Sequence, residues 1–222
     1  MTRMPRAAAA LGLLLAAGCS DGRSHARAIA VLVDVSGTYA DQRPEVARII
    51  RSGVLPKVRP GDTFFLVRID GESYGAQNLE AKATFDSQPS RANAQKLTVA
   101  AKLDRFAASQ KRARYTDISG ALLLATEYLR ETRAGKKTIL IFSDMREELP
   151  PGARRTLGPK ELEGIDVVAM NVKRLQKDQL DPAGYRKRLS GWEARLSASG
   201  VASWKVVLDP EELVQELAGG EL

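Results

Sequence analysis

The stretch AVLVDVSGT, residues 30–38, joins the pattern of a buried strand to a run of polar side chains. Five of its first six residues are apolar, while Asp34, Ser36 and Thr38 occupy alternate positions at its end. A continuous apolar run is typical of a central parallel strand that is covered on both faces. The position of this strand in the fold and the function of its three oxygen-bearing side chains are therefore considered together.

The rest of the chain alternates apolar runs with stretches of helical periodicity. The predicted strands are 27–34, 62–69, 137–144, 165–172 and 202–208, with a short edge strand at 81–85. The predicted helices are 44–55, 90–109, 117–130, 182–199 and 210–218. This alternation predicts an α/β fold with an open, doubly wound, mainly parallel sheet and right-handed crossovers. We expect the strand order 3-2-1-4-5-6, which is usual in doubly wound sheets of this kind.

In such sheets, ligands bind at the carboxyl ends of the strands, where the strand order reverses. Asp34 ends the first predicted strand, Asp144 ends strand 137–144, and Thr116 precedes the helix next to that strand. Strands one and four are neighbours at the switch point, so these side chains are expected to face one crevice. Carboxylates and hydroxyls are the hard oxygen ligands that Mg²⁺ prefers. Neutral hydroxyls leave such an ion able to accept one more anionic oxygen from a partner.

Each of these residues also has a purely structural interpretation. Asp34 and Ser36 could form a turn that caps the first helix, and Thr116 or Asp117 could be only a helix N-cap. Asp144 could be an ordinary residue at a strand end. Taken together, three such elements in this order favour a shared metal site over three separate coincidences.

Other polar and apolar features are assigned to structure. Asp70 is predicted to be a turn residue, and the run KRAR, 111–114, is a solvated loop or a positive frame for the site. Helical spacing predicts a set of core residues on the 182–199 helix: Tyr185, Leu189, Trp192 and Leu196.

The segments DVSGT, TDISGAL and FSDM together resemble the von Willebrand factor type A domain, a Rossmann-like fold with a metal-ion-dependent adhesion site. The resemblance extends over roughly residues 27–218. It implies that Ser36, Thr38 and Thr116 coordinate Mg²⁺, Mn²⁺ or Ca²⁺ through their hydroxyls, and that Asp34 and Asp144 do so directly or through water. It also implies a protein partner that supplies an Asp or Glu carboxylate.

The sequence departs from the family pattern at three positions. Thr38 replaces the usual Ser, which keeps the hydroxyl and adds a methyl group. Met145 replaces the Gly that commonly follows the last Asp, and Arg146 brings a positive charge close to the proposed ion. We expect these changes to weaken metal binding without altering the fold.

Composition excludes several other kinds of site. The 222 residues, 44% of them hydrophobic, suffice for one sizeable core, and we assign residues 27–220 to a single domain. The only His is His25 and the only Cys is Cys19, which argues against a Cys/His zinc site, a disulfide within the chain and a Ser-His-Asp triad. No Gly-rich phosphate loop follows the first strand, which argues against nucleotide binding.

The N-terminus has the pattern of an export signal. A short basic segment, 1–6, precedes an apolar run, 7–18, that is too short to span a bilayer and ends at Cys19. This resembles a bacterial lipoprotein signal of residues 1–18, with Cys19 as the lipidation site and 19–26 as a tether. An ordinary secretory signal is the alternative. Cleavage would leave 32 basic and 27 acidic residues, a net charge of +5.

These observations predict a lipid-anchored domain in the bacterial envelope, on the periplasmic face and by resemblance at the outer membrane. It would bind a protein partner through its metal ion. It would not be an enzyme and would not bind nucleic acid. The alternatives are a metal-dependent hydrolase and a metal-free scaffold of an envelope complex. The hydrolase lacks a general base, since the domain has no His and both aspartates are assigned to the metal.

Overall fold

The computed structural model describes residues 25–37, 39–171 and 180–218. The predicted signal at 1–18, the lipidation site Cys19, most of the tether and the proposed metal ligand Thr38 lie outside the described residues. In the described part of the chain, no helix is both long and apolar enough to cross a membrane.

Six strands form one sheet in the order β3-β2-β1-β4-β5-β6, which confirms the predicted fold class and strand order. The strands are β1 Arg27–Asp34, β2 Thr63–Ile69, β3 Leu79–Thr84, β4 Lys136–Phe142, β5 Ile165–Met170 and β6 Ser203–Val207. All neighbouring pairs are parallel except β2 and β3, so β3 is an antiparallel edge strand. The switch point lies between β1 and β4.

Helices cover both faces of the sheet. They are α1 Arg43–Ile49, α2 Pro89–Ala108, α3 Ile118–Glu131, α4 Pro182–Ala198 and α5 Pro210–Ala218. Helices α1, α2 and α5 contribute to the core on one face, and α3 and α4 to the core on the other. Successive side chains of β1 alternate between the two cores, with Val31 on one face and Leu32 on the other. This two-sided burial explains why every residue of the strand between Arg27 and Asp34 is apolar.

Several predicted boundaries were wrong. The helix predicted at 44–55 is α1 followed by a π-helical turn, Ile50–Val54, and a 3₁₀ turn, Leu55–Lys57. Helical geometry therefore continues past Pro56 as three successive pieces, and Val58 is the first extended residue after them. Strand β4 ends at Phe142, two residues before Asp144, so that Asp144 lies on the loop that follows the strand.

Candidate functional site

Asp34 lies at the carboxyl end of β1 and is the centre of the site. Its side chain is held on both oxygens. Oδ1 accepts hydrogen bonds from the Ser36 backbone N–H at 2.8 Å and from the Ser36 hydroxyl at 2.5 Å, and Oδ2 accepts one from Ser143 Oγ at 2.8 Å. Ser143, which directly follows β4, was not among the predicted site residues. A hydroxyl at the end of an apolar strand was the available signal.

Thr116 joins the second sequence element to the first. Its hydroxyl donates to Ser36 Oγ at 2.5 Å, so Asp34, Ser36 and Thr116 form one buried chain of oxygen atoms. Two backbone hydrogen bonds with Glu148, of 2.7 and 2.9 Å, fix the position of Thr116. The structure therefore brings three of the predicted ligands together.

Asp144 is the remaining described residue of the predicted set. Its Oδ1 accepts the Arg146 backbone N–H at 2.9 Å, and Arg146 Nε lies 3.5 Å from Oδ2. Arg146 is thus close to the site, as the sequence indicated. Both carboxylates are buried, since Asp34 and Asp144 are 1% and 7% exposed. Isolated β-bridges pair Ser36 with Ala113 and Thr116 with Glu148, so the segment before α3 lies against the loops that follow β1 and β4.

Burial raises the pKa of Asp34 to about 6, although the hydrogen bonds from Ser36 and Ser143 act to lower it. The charge of Asp144 adds to the increase, which indicates that the two carboxylates are close enough to interact. A buried carboxylate is unfavourable without a compensating cation. These oxygen donors therefore fit a hard divalent ion. In the described ranges, no group of three or more His, Cys, Asp and Glu side chains could hold a metal, so any ion here depends on hydroxyls as well.

Comparisons with known proteins identify the fold. No family model and no curated protein matches the chain. Among solved structures, the PilB minor pilin of Streptococcus sanguinis, in a mutant form, has a TM-score of 0.52 and 11% identity over 88% of this chain and 60% of that one. The BatB protein of Bacteroides thetaiotaomicron has a TM-score of 0.50 and 14% identity over 87% of this chain and 98% of that one.

The chain has a von Willebrand factor type A fold. The strand order and the position of the three sequence elements at the switch point agree with that assignment. A structure titled von Willebrand factor type A from Catenulispora acidiphila is also similar, with 13% identity and a TM-score of 0.44 over 89% of this chain and 42% of that one.

The residue after Asp144 adopts a left-handed conformation. Met145 has φ of 61°, which explains why the family commonly has Gly at this position. Such a conformation costs about 1–2 kcal/mol for a residue with a side chain. The Met145 side chain is 2% exposed in the core, and deleting a buried Met costs about 2–5 kcal/mol. Core packing therefore more than offsets the strain.

Helix α4 holds the loop that carries Asp144. Arg188 Nε donates to the Asp144 carbonyl at 3.0 Å, and Trp192 Nε1 donates to the Met145 carbonyl at 2.9 Å. One turn further on, Arg195 pairs with Glu147 at 2.9 Å. The predicted core role of Trp192 is confirmed by its burial, but its hydrogen bond to the loop was not foreseen.

Asp117 has the helix-capping role that the sequence left open. Its Oδ1 accepts the Gly120 N–H at 2.7 Å, and its Oδ2 accepts from Arg155 at 2.9 Å. Burial raises the pKa of Asp117, and the nearby Arg155 opposes this increase. Asp70 is more than a turn residue, because its carbonyl accepts the Asp117 N–H at 2.6 Å. The two roles are thus divided between neighbours: Asp117 caps α3 while Thr116 faces Ser36.

The KRAR segment forms one wall of the site. Ala113 exchanges backbone hydrogen bonds with Val35 and Gly37, at 3.0 and 3.2 Å. Arg112 forms an ion pair with Asp41 and lies 3.5 Å from the Gly37 carbonyl. The segment therefore places a positive charge beside the loop of the first motif.

Proposed function

We propose that this protein is a lipid-anchored type A domain of the bacterial envelope that binds a protein partner through a divalent ion. Asp34, Ser36, Thr38, Thr116 and Asp144 would hold the ion, which is Mg²⁺ or a similar cation. The observation that supports this most strongly is the buried chain of oxygen atoms formed by Asp34, Ser36 and Thr116.

Charge accounts for how the partner is recognised. The hydroxyl ligands carry no charge. An ion held by them and by two carboxylates could therefore accept one more anionic oxygen from outside the chain. Arg112 and Arg146 are close to the site, and positive charge at a rim speeds the approach of an acidic partner. A partner that presents an Asp or Glu side chain supplies both the anionic oxygen for the ion and the negative charge that the arginines attract.

Metal titration of the full-length protein tests the site. Asp34→Ala should abolish the binding of Mg²⁺ and Mn²⁺ measured by calorimetry, because it removes a buried anionic ligand. Asp166→Ala is the matched control, since Asp166 lies at the start of β5, at the opposite end of the sheet. Equal affinity in wild type and Asp34→Ala would contradict the assignment.

Partner capture tests the use of the ion. A protein captured from envelope extract should be released by chelator, and Thr116→Ala should weaken its binding by about 1–3 kcal/mol, the range for losing one polar group. Turnover of an ester or phosphate substrate that requires Asp34 would instead support a hydrolase.

A metal-free scaffold is the second candidate, and the position of Arg146 favours it. A guanidinium 3.5 Å from Asp144 supplies positive charge where an ion would otherwise be needed. In that case, partner binding would be insensitive both to chelator and to Thr116→Ala. Arg146→Ala would weaken partner binding if the scaffold reading is right, and would strengthen metal binding if the ion occupies the site.

A further inference from the structure

A polar cavity lies beside the first helix, and none of the proposed metal ligands lines it. It has a volume of about 260 Å³ and is lined by residues of α1, β2, β3, α2 and the segment after α2. Five of its lining side chains are cationic and one is anionic: Arg43, Arg68, Lys102, Arg105, Lys111 and Glu80. A cavity with four excess positive charges is suited to an anion.

Arg43 is the most unusual member of this group, because it is a charged side chain that is only 5% exposed. Its Nε donates to the Ala40 carbonyl at 3.1 Å, and it forms no ion pair with any other described residue. The nearby Asp41 is paired with Arg112. A buried cation without a paired anion is costly for a fold, and a bound anion would remove that cost.

The other cations divide into one that is already neutralised and three that are not. Arg68 donates to Glu80 at 2.5 Å and to Asn78 at 2.8 Å, so it helps to form the wall of the cavity. Over the ranges that the structure describes, Lys102, Arg105 and Lys111 have no carboxylate partner. The cavity therefore combines a buried unpaired guanidinium with three further cations that line it and have no carboxylate partner.

We propose that this cavity binds a phosphoryl group, specifically the dianion of a phosphomonoester. Guanidinium and ammonium groups are the side chains that recognise phosphate oxygens, and several of them converge here. The positive excess favours a doubly charged monoester over the singly charged diester of a phospholipid headgroup. Phe106, which also lines the cavity, gives an apolar wall for the organic part of the ligand.

Calorimetry on the full-length protein, in buffer without phosphate or sulfate, tests this proposal. Glycerol 3-phosphate should bind saturably, and the double variant Lys102→Ala/Arg105→Ala should bind it at least tenfold more weakly. Arg186→Ala/Lys187→Ala is the matched control, because it removes the same two charges from exposed positions on α4, on the other face of the sheet. That control should leave the affinity unchanged.

Two further measurements sharpen the result. In phosphate-free buffer, the melting temperature of Arg43→Met should be no lower than that of wild type. Glycerol 3-phosphate should raise the melting temperature of wild type but not that of Arg43→Met.

Glycerophosphoglycerol, the deacylated headgroup of phosphatidylglycerol, should bind more weakly than the monoester. Tighter binding of this diester would overturn the preference for a dianion and identify a lipid headgroup as the source. Absence of saturable binding, or equal loss in the control double variant, would overturn the site.

Discussion

Asp34 makes the stability of the metal-free domain depend on pH. Its pKa is about 6 in the folded protein, against an ordinary value of 3.8. Between these values only the folded state keeps the proton, so the stabilisation present below pH 3.8 is lost as the pH rises through 6. A difference of about two pKa units corresponds to roughly 3 kcal/mol. The residue best suited to hold an ion thus destabilises the fold at neutral pH when no ion is bound.

Asp34→Asn should reveal this cost. In metal-free buffer at pH 7.5, urea unfolding should show the variant to be about 2–3 kcal/mol more stable than wild type, because the amide cannot ionise. At pH 4.5 the difference should shrink to about 1 kcal/mol. A stability difference for Asp34→Asn that is the same at both would contradict the argument.

At the scale of elements, α4 determines where the loop after β4 lies. Trp192→Phe removes the indole donor and leaves the Met145 carbonyl without this hydrogen bond. We expect a loss of about 1–3 kcal/mol in the free energy of unfolding, measured with denaturant, and a weaker affinity for Mg²⁺. Trp204→Phe, on β6, is the matched control and should leave the metal affinity unchanged. Equal effects of the two substitutions would contradict a special role for α4.

The apolar runs of the strands made the fold predictable. The run before Asp34 indicated a doubly covered central strand, and alternation with helices indicated an open α/β sheet, whose usual strand order is the one observed. The segments around Asp34, Ser36 and Thr116 predicted that these residues meet, which their hydrogen bonds confirm. The burial of the two aspartates could not be predicted, because burial at a strand end depends on which distant segments pack over it.

The contacts made by α4 were beyond prediction for a related reason. Arg188 and Arg195 have the spacing of an ordinary exposed helix face, and nothing local shows that a loop more than forty residues earlier lies against them.

At the scale of the whole molecule, the proposed lipid anchor on Cys19 would hold the domain at the membrane surface. Full-length protein expressed in a bacterium should partition into the detergent phase, whereas Cys19→Ser should be released or left unprocessed. One acyl chain gives only marginal membrane binding, so stable partition would require two or three chains on Cys19. Ser20→Ala, which keeps Cys19, is the control and should behave as wild type. A processed Cys19→Ser protein that stays in the membrane fraction would contradict lipidation.

The bonds from α4 to the loop after β4 have a consequence for how such a site can evolve. Arg188 and Trp192 donate to the carbonyl oxygens of Asp144 and Met145, and every amino acid carries that oxygen. Substitution of Asp144 or Met145 therefore leaves both acceptors in place. The side chains at positions 144 and 145 can change during evolution, from a metal ligand to other polar groups, while the hydrogen bonds from α4 keep the path of the main chain unchanged.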